Sequence, residues 1–160
     1  MGAQQSAPAT LDADLELCGP TYLNLVWSSV EDNDLETLGY SLEQLQDDDT
    51  WLQVYDASLN PDALSTTVTG LTTGKLYTFR AYSHNFNGKS EASDEFTIIA
   101  CGLPRFMGAP RYVISTQTSI TIEWDAPEDD GGCPVNDYMI ERDEDGSGLV
   151  WTEVNPEGSF

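Results

Sequence analysis

Chemistry in this chain would have to come from a short set of side chains. There is one histidine, His84, and no serine or cysteine stands beside it in a nucleophile motif. Glycine-rich phosphate loops are absent, as are Cys-x-x-Cys and His pairs at transition-metal spacing. Carboxylates are plentiful, with 28 Asp and Glu against 6 Lys and Arg. Acid–base work by a carboxyl pair needs a cleft that desolvates one partner, and these acids stand in turns and on alternating strand positions. The sequence therefore predicts neither an enzyme nor a cofactor. Two acidic runs, Glu31-Asp32-Asn33-Asp34 and Glu128-Asp129-Asp130, offer hard oxygens of the kind calcium takes. Asp32, Asp34, Glu128, Asp129 and Asp130 are the candidate ligands; EF-hand spacing is absent, and solvated acid is the competing reading. Three cysteines, Cys18, Cys101 and Cys133, allow one bridge and one thiol left over.

The net charge is -22. Phosphate neutralisation needs clustered Lys and Arg, so nucleic acid is excluded as a partner, and docking on anionic lipid is disfavoured. A hydrophobic content of 39 % with 10 % aromatics is too rich for an acidic disordered tail. No run of about 18 apolar residues exists to insert into a membrane. Residues 1–10 are rich in Ala, Gln, Ser and Pro and do not read as a signal peptide.

The elements that must position these side chains read as strands. Short alternating runs are bounded by Gly, Pro, Asn and Asp, and helical periodicity is scarce. Leu23, Leu25 and Trp27 share one face of the run 22–27, and Tyr40 and Leu42 share one face of 38–46. Further strands are expected at 51–55, 65–68, 76–83 and 95–100. In 76–83, Tyr77, Phe79 and Ala81 alternate against Thr78, Arg80 and Tyr82. With these six runs, about seven short strands are expected, enough for a two-sheet sandwich. The chain then repeats itself. Trp124 ends a strand like that of Trp27, an acidic loop follows each, and each loop leads to a tyrosine strand, around Tyr40 and around Tyr138. A second tryptophan closes each repeat, Trp51 and Trp151. The Gly/Pro-rich connector is short, which limits hinge freedom.

The run Leu71-Thr72-Thr73-Gly74-Lys75-Leu76-Tyr77-Thr78-Phe79-Arg80-Ala81, followed by Asn85, Gly88, Ser90 and Ser93, resembles the fibronectin type III domain. The stretch from Trp124 through Pro127, Gly131, Gly132 and Pro134 to Tyr138 and Arg142 is similar to that family's B strand, B–C loop and C strand. The resemblance implies an all-β, immunoglobulin-like two-sheet sandwich in tandem. An extended segment at 1–9 precedes domain one at 10–101; a linker at 102–109 leads to the first half of a second domain at 110–160. It places Trp27, Tyr40, Trp51, Leu71, Tyr77, Phe79, Trp124, Tyr138 and Trp151 in the core, with the Tyr77 hydroxyl returning to nearby backbone.

The same fold brings Cys18, in the A–B turn, near Cys101 at the end of the last strand. A Cys18–Cys101 bridge is the first expectation, worth about 4 kcal/mol in the chain-entropy model. A Cys101–Cys133 pair locking the two units, or three free thiols, are the alternatives. Phe86, in the F–G loop, is a possible contact residue, exposed or tucked against the sandwich. The chain is expected to be a non-catalytic structural and protein-binding module, extracellular or on the cell surface. An intracellular cytoskeletal scaffold, or an accessory domain of a secreted enzyme, is the alternative. Its partners would be other proteins or copies of itself, which could supply the strands that the half domain lacks.

Overall fold

A computed structural model describes residues 6–31 and 35–154. The first unit is built from eight strands. They are β1 (Leu11–Ala13), β2 (Tyr22–Trp27), β3 (Gly39–Leu45), β4 (Trp51–Ala57), β5 (Ser65–Thr69), β6 (Leu76–Asn85), β7 (Gly88–Lys89) and β8 (Phe96–Ile99). One sheet has the order β1-β2-β5; the other runs β4-β3-β6-β7, with β8 also pairing β6, and every pairing is antiparallel. A 3-10 turn at Leu15–Leu17 carries the chain from β1 to β2, opened by the Asp14 carboxylate accepting from the Glu16 N–H at 3.2 Å.

Alternation supplies the core. Leu23, Leu25 and Trp27 of β2 point at Tyr40 and Leu42 of β3 and at Tyr77, Phe79 and Ala81 of β6, and all are buried together with Leu71. The Trp27 indole sits 6.1 Å from the Tyr40 ring and 5.9 Å from the Tyr55 ring, filling the space between sheets. The Tyr77 hydroxyl accepts from the Thr72 N–H at 2.9 Å, tying the turn before β6 to the strand itself. Gly39 lies so close to the Ala57 carbonyl that a Cβ there would collide with it.

Trp51 departs from the expected core. Simple alternation from Tyr55, which packs on Trp27, would carry Trp51 inward. A β-bulge intervenes: Leu42 pairs with Tyr55, but Glu43 pairs with Gln53. The extra residue flips the remainder of β4, so Trp51 lies on the outer face.

The second unit forms two hairpins, β9 (Arg111–Ser115) with β10 (Ile120–Glu123) and β11 (Glu141–Asp143) with β12 (Trp151–Glu153). Arg111 braces the first, reaching Glu123 and Asp125. Trp124 and Tyr138 are half-buried against each other, ring centroids 5.8 Å apart. Two expectations fail here. Residues 137–140 form no strand and pairing begins only at Glu141; Trp151 is 54 % exposed rather than core. The reason is shared. In the first unit β3 is held on both sides by β4 and β6, whereas the tyrosine segment here is flanked on one side only. Ile120, Met139 and Trp151 consequently face solvent.

Candidate functional site

Two places gather polar chemistry. The first is the outer face of the sheet β4-β3-β6-β7. There the Glu43 side chain, 13 % exposed, accepts from Arg80 at 2.7 Å, from the Tyr82 hydroxyl at 2.8 Å and from Lys89 at 2.7 Å. Cross-strand register makes this possible: Arg80 stands directly opposite Glu43, and Lys89 is brought in by the β6–β7 hairpin. The Arg80 guanidinium stacks 3.9 Å above the Trp51 ring, and the Lys89 ammonium lies 3.7 Å from the centre of the Tyr82 ring. Burial by itself would raise the Glu43 carboxyl, but the bonds from Lys89, Arg80 and Tyr82 outweigh it and hold it at about 2. Burial, and then the hydrogen bond to Glu43, pushes the Tyr82 hydroxyl up to about 12. With every acceptor of Glu43 engaged, the cluster acts as a brace with an aromatic surface and not as an acid–base pair.

One row away, Ser41 Oγ lies 2.8 Å from His84 Nε2. Sequence reasoning missed this contact because the two residues are 43 apart; only the β3–β6 register unites them. Ser41 is 1 % exposed, so a substrate carbonyl has no approach to its hydroxyl. Burial lowers the His84 imidazole, against the opposing pull of Asp56.

The second place is the junction of the two units. The bridge joins Cys101 to Cys133, with Cα atoms 5.9 Å apart, inside the range a disulfide spans. The expected Cys18–Cys101 bridge does not form. Cys18 is buried, its thiol donating to the Asp14 carbonyl at 3.2 Å and accepting from the Asn24 N–H at 3.4 Å, so its sulfur faces the core. Burial pushes that thiol up. Around the bridge, residues 128–133 dock on the end of the first sandwich. Gly102 N–H donates to the Gly131 carbonyl at 2.8 Å, and Arg105 and Asp129 exchange backbone bonds at 2.8 and 3.3 Å. Gly131, at φ 70°, leaves no room for a side chain against the Gly102 carbonyl. Arg105 also reaches back to the Glu16 carbonyl at 3.3 Å.

The acidic residues do not converge. Asp129 and Asp130 turn their carboxylates into their own loop, accepting from the N–H groups of Gly131 at 2.9 Å and Gly132 at 2.8 Å. Among the described residues no three His, Cys, Asp or Glu side chains come together as metal ligands would. Glu128, Asp129 and Asp130 are thus not gathered into one ligand set among the described residues; Asp32 and Asp34 lie outside the described residues. Phe86 stands 76 % exposed at the turn between β6 and β7. Among the described residues no helix is long and apolar enough to cross a membrane.

Two antiparallel sheets packed around a strand-borne tryptophan, with a tyrosine tied back to the turn ahead of its strand, define an immunoglobulin-like β-sandwich. The chain belongs to the fibronectin type III family: the model for the fibronectin type III domain matches residues 6–99. It is 31 % identical over 142 residues to fibronectin type-III domain-containing protein 3a of Gallus gallus, covering 85 % of this chain and 11 % of the relative. It is 32 % identical over 126 residues to myomesin-2 of Homo sapiens, covering 74 % of this chain and 8 % of the relative. The chain thus spans about a tenth of the length of these relatives. Among solved structures, the twitchin kinase region of C. elegans superposes with a TM-score of 0.53 at 21 % identity, covering 74 % of this chain and 20 % of that one; this likeness concerns the fold alone.

Proposed function

We propose that this chain is a non-catalytic, load-transmitting and protein-binding segment of a tandem fibronectin type III array, placed outside the cell or on its surface. The observation that carries this reading is the junction. A disulfide, a reciprocal backbone bridge and a glycine that leaves no room for a side chain seat the loop 128–133 on the first sandwich. Such a joint sets a fixed angle between successive units, which a spacer needs and a solitary domain does not. The two exposed hairpins of the second unit, with Ile120 and Trp151, and the loop-tip Phe86 are the surfaces offered to other proteins or to further strands.

An intracellular cytoskeletal array is the second reading, favoured by the similarity to myomesin-2. Alkylation of the protein taken from its native source, denatured without reductant, separates the two. One reactive cysteine, Cys18, is expected for the extracellular setting; three reactive cysteines would move the chain to the intracellular one.

A further inference from the structure

Natural sandwiches blunt their sheet edges with charge, proline or bulges, because an open edge is a template for another strand. Most strands of the first unit follow this rule. β1 carries Asp12, β4 carries Asp56 and a bulge, β7 carries Lys89, and β8 starts directly after Asp94 and Glu95. β5 does not. Its sequence Ser65-Thr66-Thr67-Val68-Thr69 has no charge, no proline and no register break, and the chain is uncharged from Ala63 to Gly74. In a molecule of net charge -22 that is a marked gap.

The edge is open and its polarity is defined. The Trp27 N–H donates to the Leu64 carbonyl, so by alternation Thr66 and Val68 direct their backbone groups at β2. Ser65, Thr67 and Thr69 direct theirs away from it, and β5 ends the order β1-β2-β5 with no further strand beside it among the described residues.

We propose that this edge pairs antiparallel with the β5 edge of a second copy, across a two-fold axis at Thr67. That register is self-complementary. Thr67 faces Thr67 of the second copy, and Ser65 faces its Thr69, so every outward N–H meets an outward carbonyl. On the solvent face Thr meets Thr and Ser meets Thr, pairs that hydrogen-bond across strands. Continued past the strand ends, the register sets Asp62 opposite Thr72 and Leu59 opposite Lys75, with no acid facing acid. A foreign strand would gain the same backbone bonds; what favours a second copy is that its own sequence brings hydroxyl against hydroxyl and no acid against acid along the whole register. The two three-stranded sheets would join into one of six strands. The inference rests on reading the chain as a binding module, for which it names one partner. A monomer would overturn the pairing while leaving binding to other proteins untouched.

Sedimentation equilibrium of the whole chain tests it. The expected result is a monomer–dimer equilibrium that tightens severalfold between about 0.05 and 0.5 M salt, as screening relieves the repulsion of two acidic bodies. Thr67→Pro removes an N–H that the fold itself does not use, together with the exposed hydroxyl that accepts from Asn24 Nδ2 at 3.1 Å, and should weaken association at least about tenfold with only a small drop in melting temperature. Thr67→Lys, which sets two ammonium groups face to face on the exposed side, should do the same should the proline variant unfold. Mixed-label spectra of the dimer should show contact between the Thr66 and Val68 α-protons of different copies. A chain that stays monomeric at about 1 mM in 0.5 M salt overturns the proposal, as does a dimer that both variants leave intact.

Discussion

Glu43 shows how one side chain can organise a surface. It collects Arg80, Tyr82 and Lys89, and two of those donors also lie on aromatic rings. Replacing it, as Glu43→Gln, leaves two cations close together without their anion. The expected loss is about 1–2 kcal/mol after allowing for solvent screening of the partly exposed partners, read from urea denaturation at pH 7. The pH dependence follows from two residues of this face. Glu43 has a folded value depressed from 4.5 to about 2, so its stabilisation is complete above 4.5 and drains away as pH falls towards 2. His84 is a base with a depressed folded value. The unfolded chain therefore takes up its proton first, and stability declines as pH falls below 6.5. Two successive declines are expected in denaturation midpoints measured from pH 8 to pH 2. His84→Gln should remove the upper one and leave the lower. Trp27 belongs to the same scale. Trp27→Ala should cost about 3–5 kcal/mol by opening a cavity between the sheets. Trp27→Phe should cost clearly less, since the indole Nε1 has no hydrogen-bond partner among the described residues; thermal melts of both variants check the ranking.

At the scale of elements, most of the sandwich was legible. Strands β2, β3 and β6 carry an alternation that states which of their residues face the core, although β6 runs on to Asn85, two residues past its expected end, and Tyr77 stands where the turn needs its hydroxyl. Tyr77→Phe should keep the ring in place but strand the Thr72 N–H, at about 1–2 kcal/mol. The expected signature is faster amide exchange at Thr72 with the core resonances unmoved. Trp51 was misread because a bulge adds one residue without any sequence mark and inverts every position after it. The tyrosine strand of the second unit was misread for a different reason. Its pattern matches that of β3, but a strand exists only with a neighbour to bond to, and β3 has two.

For the whole molecule, the acidic excess is a surface property, since alternation keeps the inward positions apolar. Its effect is solubility and mutual repulsion, against which the uncharged β5 edge stands out. The junction governs overall shape. Cys133→Ser removes the bridge and should broaden the range of inter-unit angles, seen in small-angle scattering as a larger radius of gyration. Gly131→Ala, by forcing apart Gly102 and the loop, should do so with the bridge still present. The fold class and most of the first unit's core were determined by the sequence alone, because apolar alternation and the position of turn residues are local properties that each strand carries by itself. The partner of Cys101, the meeting of Ser41 with His84, and the turning of Asp129 and Asp130 into their own loop were decided only by tertiary structure. Each depends on where side chains distant in the chain come to rest, and strand register, one bulge and a docked loop set those distances.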